Sequence, residues 1–290
     1  MEQNNQRKNI HLAIIHILFA AFGFALMTFF VRISGDLPTM QKAFFRNFVA
    51  LFIAMFTLIK NKTSLHVKKN ARLSMFLRCF FGTTGLIANF YAIDHLGIAD
   101  ANMLNKLSPF FAIIMSYFIM KEVPKRIDVA CVVVAFIGAL FIVRPTISFT
   151  VLPALIGLYG GFGAGTAYTY VHKMGKLGQN GSTIVFYFSL FSCLVTLPFM
   201  IMEWTPMSFL QILFLILAGA SAAIGQFNIT AAYQLAAAKD ISVFDYTQVI
   251  FAAVLGFLFL SEIPDIYSVI GYVTIIGAAV FKWHYNRVRS

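Results

Sequence analysis

The sequence predicts an all-α integral membrane protein of ten transmembrane helices, arranged as two inverted five-helix repeats with both termini in the cytoplasm. Three observations carry this prediction. First, 60% of the 290 residues are hydrophobic and only 11% are charged, too little charge to cover a soluble domain of this size. The apolar residues also fall in runs of about 20, the length that crosses a hydrocarbon core about 30 Å thick. Second, the 22 lysines and arginines are one-sided. With the N-terminus inside, sixteen fall in inner loops and tails, Arg32 and Arg144 fall outside, and Lys42, Arg46, Arg78 and Lys106 lie within spans. That bias sets the orientation. The net charge of +11 therefore reports topology and contact with anionic lipid rather than nucleic acid. Third, FFAIIMSYFIMKEVP (110–124) and IFAAVLGFLFLSEIP (250–264) both end in Glu-x-Pro, and 262 − 122 = 140. A five-span unit repeated once enters the membrane from opposite sides, because five is odd. The repeats divide the chain at 1–146 and 147–290.

Each span can be justified in turn. Span one (10–31) is long enough to cross and lacks the small-residue cleavage site of a signal peptide. His16, Ala20 and Gly23 form a mild stripe on it, with His16 read either as a proton carrier or as a packing histidine. Span two (38–59) holds Lys42, shallow enough to snorkel, and Arg46, read as a structural clamp or a pathway residue. Span three (73–94) sets Arg78, Gly82, Gly85 and Asn89 along one face. Span four (99–120) places Asn102, Asn105, Lys106 and Pro109 at i, i+3, i+4 and i+7, again one face. A lysine at a helix centre costs about 2.5–3.5 kcal/mol on insertion scales. The stripe therefore faces protein or water and reads as a solute pathway, unless Lys106 snorkels to the outer surface. Pro109 is expected to free a carbonyl one turn earlier. Span five (126–144) is apolar.

The second half repeats the plan. Span six (152–171) reads GLYGGFGAGTAYTY, with Gly157, Gly161 and Gly165 as a packing face and with Tyr159 and Tyr168 able to present hydroxyls. Span seven (181–202) is apolar. Span eight (208–234) carries Ser221, Gly225 and Asn228, the last a counterpart of Asn89. Span nine (241–260) begins near Asp245 and Tyr246, which a shift of 140 aligns with Asn105 and Lys106. Span ten (266–283) ends in a basic tail. Asp245 shares its depth with Arg78, so the two are expected to pair or to open into one inner vestibule. Lys106 sits at the opposite depth and should not pair with Asp245.

No catalytic constellation accompanies these spans. There is no HExxH, GxSxG or P-loop, so enzyme activity is not expected. Cys79, Cys131 and Cys193 fall singly in apolar runs, without metal or disulfide spacing, and neither a cofactor nor a metal is expected. Repeated polar rings of the kind that build channel filters are missing.

The run AFFRN (43–47), the segment LSPFFAIIMSYFIMKEVP (107–124), its echo TQVIFAAVLGFLFLSEIP (247–264) and the glycine-rich start of span six resemble the drug/metabolite transporter superfamily, in particular its ten-span EamA-type members. The AFFR and FLR patterns are similar to a subset that includes S-adenosylmethionine permeases. Two departures stand out: Val249 replaces a proline equivalent to Pro109, and Asp245 is not part of the general pattern. The resemblance implies a central cavity lined by spans three, four, eight and nine with one and six, while five and ten lie peripherally. It also implies alternating-access transport of small organic solutes. Cations outnumber the acid Asp245 within the spans, which favours amino acids or related zwitterionic or anionic metabolites. The expected function is secondary transport across the cytoplasmic membrane, with a small-molecule solute and the lipid bilayer as partners and no nucleic acid. A channel or facilitator, or an exporter of amphipathic drugs, is the alternative.

Overall fold

The structure is a computed structural model describing residues 2–96, 104–143, 151–261 and 265–289. All regular structure among these residues is helical. The long helices are α1 (Glu2–Ile33), α2 (Thr39–Lys60), α3 (Arg72–Leu96), α4 (Ser108–Met120), α5 (Arg126–Val143), α6 (Val151–Lys176), α7 (Gly181–Met202), α8 (Phe209–Leu235), α9 (Thr247–Leu260) and α10 (Ile266–Arg289). A 3-10 turn, Lys69–Ala71, leads into α3. One helical turn, Ala238–Ile241, and a 3-10 stretch, Ser242–Tyr246, lead into α9.

Six of the helical segments are long and apolar enough to cross a bilayer, while α4 is a shorter apolar helix of 13 residues. Their outer faces are oily. Phe56, Phe118 and Phe259 are 66%, 61% and 65% exposed, an arrangement that only a hydrocarbon surround makes favourable. Local signals start several helices cleanly. The Asn180 side chain accepts from the backbone of Ser182 and Thr183 at the head of α7, and Ser208 with Gln211 forms a capping box on α8.

The helices pack by a two-fold rule. α1 lies along α8 as α6 lies along α3, α9 meets α1 as α4 meets α6, and α2 crosses α8 as α7 crosses α3. α2 pairs with α7 and α5 with α10. Exchanging every helix for the one five places later turns each of these contacts into another of the set. Glycines at matching positions allow the closest crossings. A Cβ on Gly23 would stand 2.7 Å from the Gly225 nitrogen, and one on Gly163 would stand 2.9 Å from the Gly85 Cα. These residues are themselves related by 140, since 163 − 23 = 225 − 85. So are Lys121 and Ser261, the left-handed residues (φ 60° and 57°) that end α4 and α9.

One contact breaks the rule. α6 also packs along α8, with Gly175 against Gln234 and Tyr168 stacked on Tyr233 at 4.9 Å. The equivalent helices α1 and α3 make no comparable contact among the described residues. The α6–α8 seam lies at the end of the bundle where the α4–α5 loop sits. There Glu122 accepts hydrogen bonds from His172 Nε2 (2.9 Å), Lys176 Nζ (2.5 Å) and Ser116 Oγ (2.6 Å), while His172 Nδ1 faces the Tyr233 carbonyl at 2.7 Å.

Two expectations need correction. Span four was expected as a continuous helix over 99–120, with Pro109 interrupting it. Instead Lys106–Leu107 form a turn and Pro109 sits in the first turn of α4, where proline sacrifices no helical hydrogen bond. Lys282 was counted among the sixteen cations of the inner loops and tails. It is buried in α10, where its ammonium bonds the equally buried Asp128 of α5, so Asp245 is not the lone acid inside the bundle.

Candidate functional site

The interruptions before α4 and α9 meet each other. The Tyr246 hydroxyl donates to the Lys106 carbonyl at 2.8 Å, joining two positions that are themselves 140 apart. Beside this junction lies a cavity of about 150 Å³. Its walls come from both halves of the chain: Phe24 and Met27 of α1, Arg46 of α2, Arg78, Gly82 and Asn89 of α3, and Asn105 and Lys106 ahead of α4. Tyr168 of α6, Phe188 of α7, Gln226 of α8, and Asp245 with Gln248 at the start of α9 complete them.

The two guanidinium groups are the least satisfied polar groups here. Arg78 is 2% exposed and Arg46 6%. Arg78 Nη2 donates to Gln226 Oε1 at 3.2 Å, and its Cζ lies 4.0 Å above the Phe188 ring, a cation–π contact. Gly82, one turn further along α3, leaves the space into which this guanidinium folds, because a Cβ there would collide with Arg78 Nη1. Yet the Nε atoms of both Arg46 and Arg78 are buried with no acceptor among the described residues. Asn89 Oδ1 is likewise buried without a donor. Buried polar atoms are normally paired, which sets these three apart from the other polar atoms of the wall.

Lys106 donates to Gln248 Oε1 at 2.7 Å. Asp245 is 6% exposed and forms no ion pair with Arg78 or Lys106 among the described residues. Of the two arrangements expected for Arg78 and Asp245, a direct pair or a shared opening, the described residues show no direct pair: Arg78 bonds Gln226 and both charges border one cavity. Lys106 and Asp245 were expected at opposite depths, but they border the same space. The cause is the backbone: a count along continuous helices cannot place residues that sit at a turn and in a 3-10 stretch.

Of the residues singled out in the sequence, Asn105, Lys106, Asp245, Arg78, Asn89 and Arg46 come together around the cavity. Three others do other work. His16 Nδ1 and Asn228 Oδ1 bond each other at 2.7 Å between α1 and α8, and Tyr246 is wholly buried in its bond to Lys106. Pro109 starts α4, and Asn102 lies outside the described residues. Gln226, Gln248 and Phe188 were not anticipated. The signal available for the first two was a lone amide within an apolar run, beside Gly225 in one case and one helical turn from Asp245 in the other.

The fold and cavity define a class: a multi-pass helical membrane protein enclosing a polar, cationic chamber between two similarly packed halves, the build of a solute carrier. The chain belongs to the EamA-like transporter family, which matches residues 11–144 and, a second time, residues 151–282. Among its relatives, the pseudopaline exporter of Pseudomonas aeruginosa is 30% identical over 92% of this chain and 94% of its own length. Human solute carrier family 35 member G1 is 27% identical over 94% of this chain and 80% of its own. An S-adenosylmethionine uptake transporter of Rickettsia prowazekii is 24% identical over 84% of this chain and 83% of its own. A crystal structure of a protein only 13% identical matches with a TM-score of 0.83 over 96% of this chain and 99% of that one, a likeness of fold.

Proposed function

We propose that the protein is a secondary transporter of small organic solutes, amino acids or related zwitterionic or anionic metabolites, working by alternating access across the cytoplasmic membrane. In this reading the ten long helices are ten spans, residues 1–146 and 147–290 are inverted repeats, and both termini are cytoplasmic. The observation that carries it is the chamber itself. Both halves wall it, it is lined by Arg46, Arg78, Lys106 and Asp245, and its two guanidinium groups retain buried donors without acceptors among the described residues. A structural role would satisfy those donors within the protein, because leaving a buried donor unpaired costs about 1–3 kcal/mol. The uneven packing supports the same reading. The α6–α8 seam closes the end assigned to the cytoplasm, while α1 and α3 stand apart at the other end, the asymmetry of a carrier open to one side.

The relatives are named for export in one case and uptake in another, so direction does not carry over. The test is uptake and counterflow in vesicles reconstituted with the purified protein and a panel of metabolites, repeated for Lys106→Ala and Asp245→Asn. Saturable exchange in the wild type that falls at least ten-fold in both variants is expected. Equal flux in all three proteins would show that these residues do not line the route.

A further inference from the structure

The chamber's charge says more about the cargo than its polarity does. Three cationic side chains, Arg46, Arg78 and Lys106, face it against one carboxylate, Asp245, and 3 − 1 = 2. Among the described residues no ion pair links that carboxylate to Arg78 or Lys106. Both guanidinium groups are more than nine-tenths buried, so water cannot screen them as it would at a surface. Each also holds a buried Nε donor with no acceptor among the described residues. A guanidinium is a planar fork matched to two parallel oxygens, the geometry of a carboxylate. Lys106 differs: its ammonium is already held by Gln248 Oε1, so it offers a fixed point charge on the chamber wall. The chamber volume of about 150 Å³ equals that of a cavity that accommodates benzene, which limits the cargo to a compact molecule.

Resting on the transport reading above, we infer that the solute is a small organic dianion, a dicarboxylate whose one carboxylate is clamped by Arg46 and Arg78 and whose other approaches Lys106. Two negative charges neutralise the chamber; one leaves a desolvated positive charge, and none leaves two. Asp245 is then the residue that sets the charge of the cargo. It holds the count at two and excludes a third acid group by repulsion.

The test uses the full-length protein in vesicles clamped at zero potential, with counterflow of labelled succinate, lactate, alanine, choline and citrate measured separately at equal concentration. Succinate is expected to exchange at least ten-fold faster than the other four. The two charge-changing variants should then move the preference in opposite directions. Arg46→Gln lowers the count to one and is expected to favour lactate over succinate. Asp245→Asn raises it to three and is expected to favour citrate. A merely structural residue would lower all fluxes together without reordering them, and that result would overturn the assignment. Wild-type exchange of alanine or choline at or above the succinate rate would also overturn it while leaving the transport reading intact. A folded, monodisperse wild type that exchanges none of the five would overturn both. Should Arg46→Gln fail to fold, thermal unfolding of the wild type at fixed ionic strength decides. A Tm raised by succinate and not by lactate or alanine upholds the dianion, and the reverse order refutes it.

Discussion

At the scale of single residues, the chamber depends on side chains held by neighbours that have no charge of their own. Arg78 is placed by three contacts: the Gln226 oxygen, the Phe188 ring and the empty space above Gly82. Gly82→Ala tests that placement without touching the arginine. The new methyl would meet Arg78 Nη1 and also come within 2.8 Å of Phe188, so the guanidinium must swing away. Transport is expected to fall at least ten-fold while the variant still purifies as a folded protein. Unchanged flux would mean that the guanidinium position is unimportant. The charged members of this set were legible in the sequence because a lysine or arginine inside an apolar run demands an explanation. Gln226 and Gln248 were not, since a lone amide reads equally well as a helix-packing group. Asn228 shows that ambiguity resolved the other way: it matched Asn89 by spacing, yet it binds His16 outside the chamber.

At the scale of elements, what matters is where helices stop. The Glu-x-Pro motif marks where α4 stops, and the left-handed Lys121 that ends it recurs as Ser261. The other end was misread, because a proline in an apolar run looks the same whether it kinks a helix or begins one. That ambiguity displaced Lys106, while Asp245 was displaced by the 3-10 stretch Ser242–Tyr246. The α4–α5 loop supplies a sharper test. Burial alone would raise the Glu122 carboxyl, but hydrogen bonds from His172, Lys176 and Ser116 outweigh it and hold the group well below the usual carboxylate range. A carboxyl depressed in the folded state stabilises the protein above its unfolded value, about 4.3, and loses that effect as the pH falls towards the folded value. Glu122→Gln is therefore expected to lower Tm by several degrees at pH 7, with the same difference at pH 5. The gap should narrow only below about pH 4. A gap that vanishes between pH 7 and pH 5 would show that the carboxylate is not held as described.

At the scale of the whole molecule, the repeat was visible in the sequence because one short motif recurs at a fixed offset. The asymmetry between the halves was not, since both halves would be written alike whichever side is closed. The seam makes that asymmetry testable. A Cβ on Gly175 would stand 2.8 Å from the Gln234 Cα and 3.0 Å from its Cβ, closer than a side chain can approach a backbone, so Gly175→Val must push α6 and α8 apart. That variant is expected to lower exchange at least ten-fold while still purifying as a folded protein. Unchanged exchange would mean that the seam does not need to close.

The glycine crossings carry a consequence for how such parting happens. At Gly23 against Gly225, and at Gly163 against Gly85, backbone touches backbone, so α1 is riveted to α8 and α6 to α3. Each such pair moves as one stiff unit. The α6–α8 seam is the contact at which these two units meet, so a relative shift of the units strains that seam and leaves the glycine crossings intact.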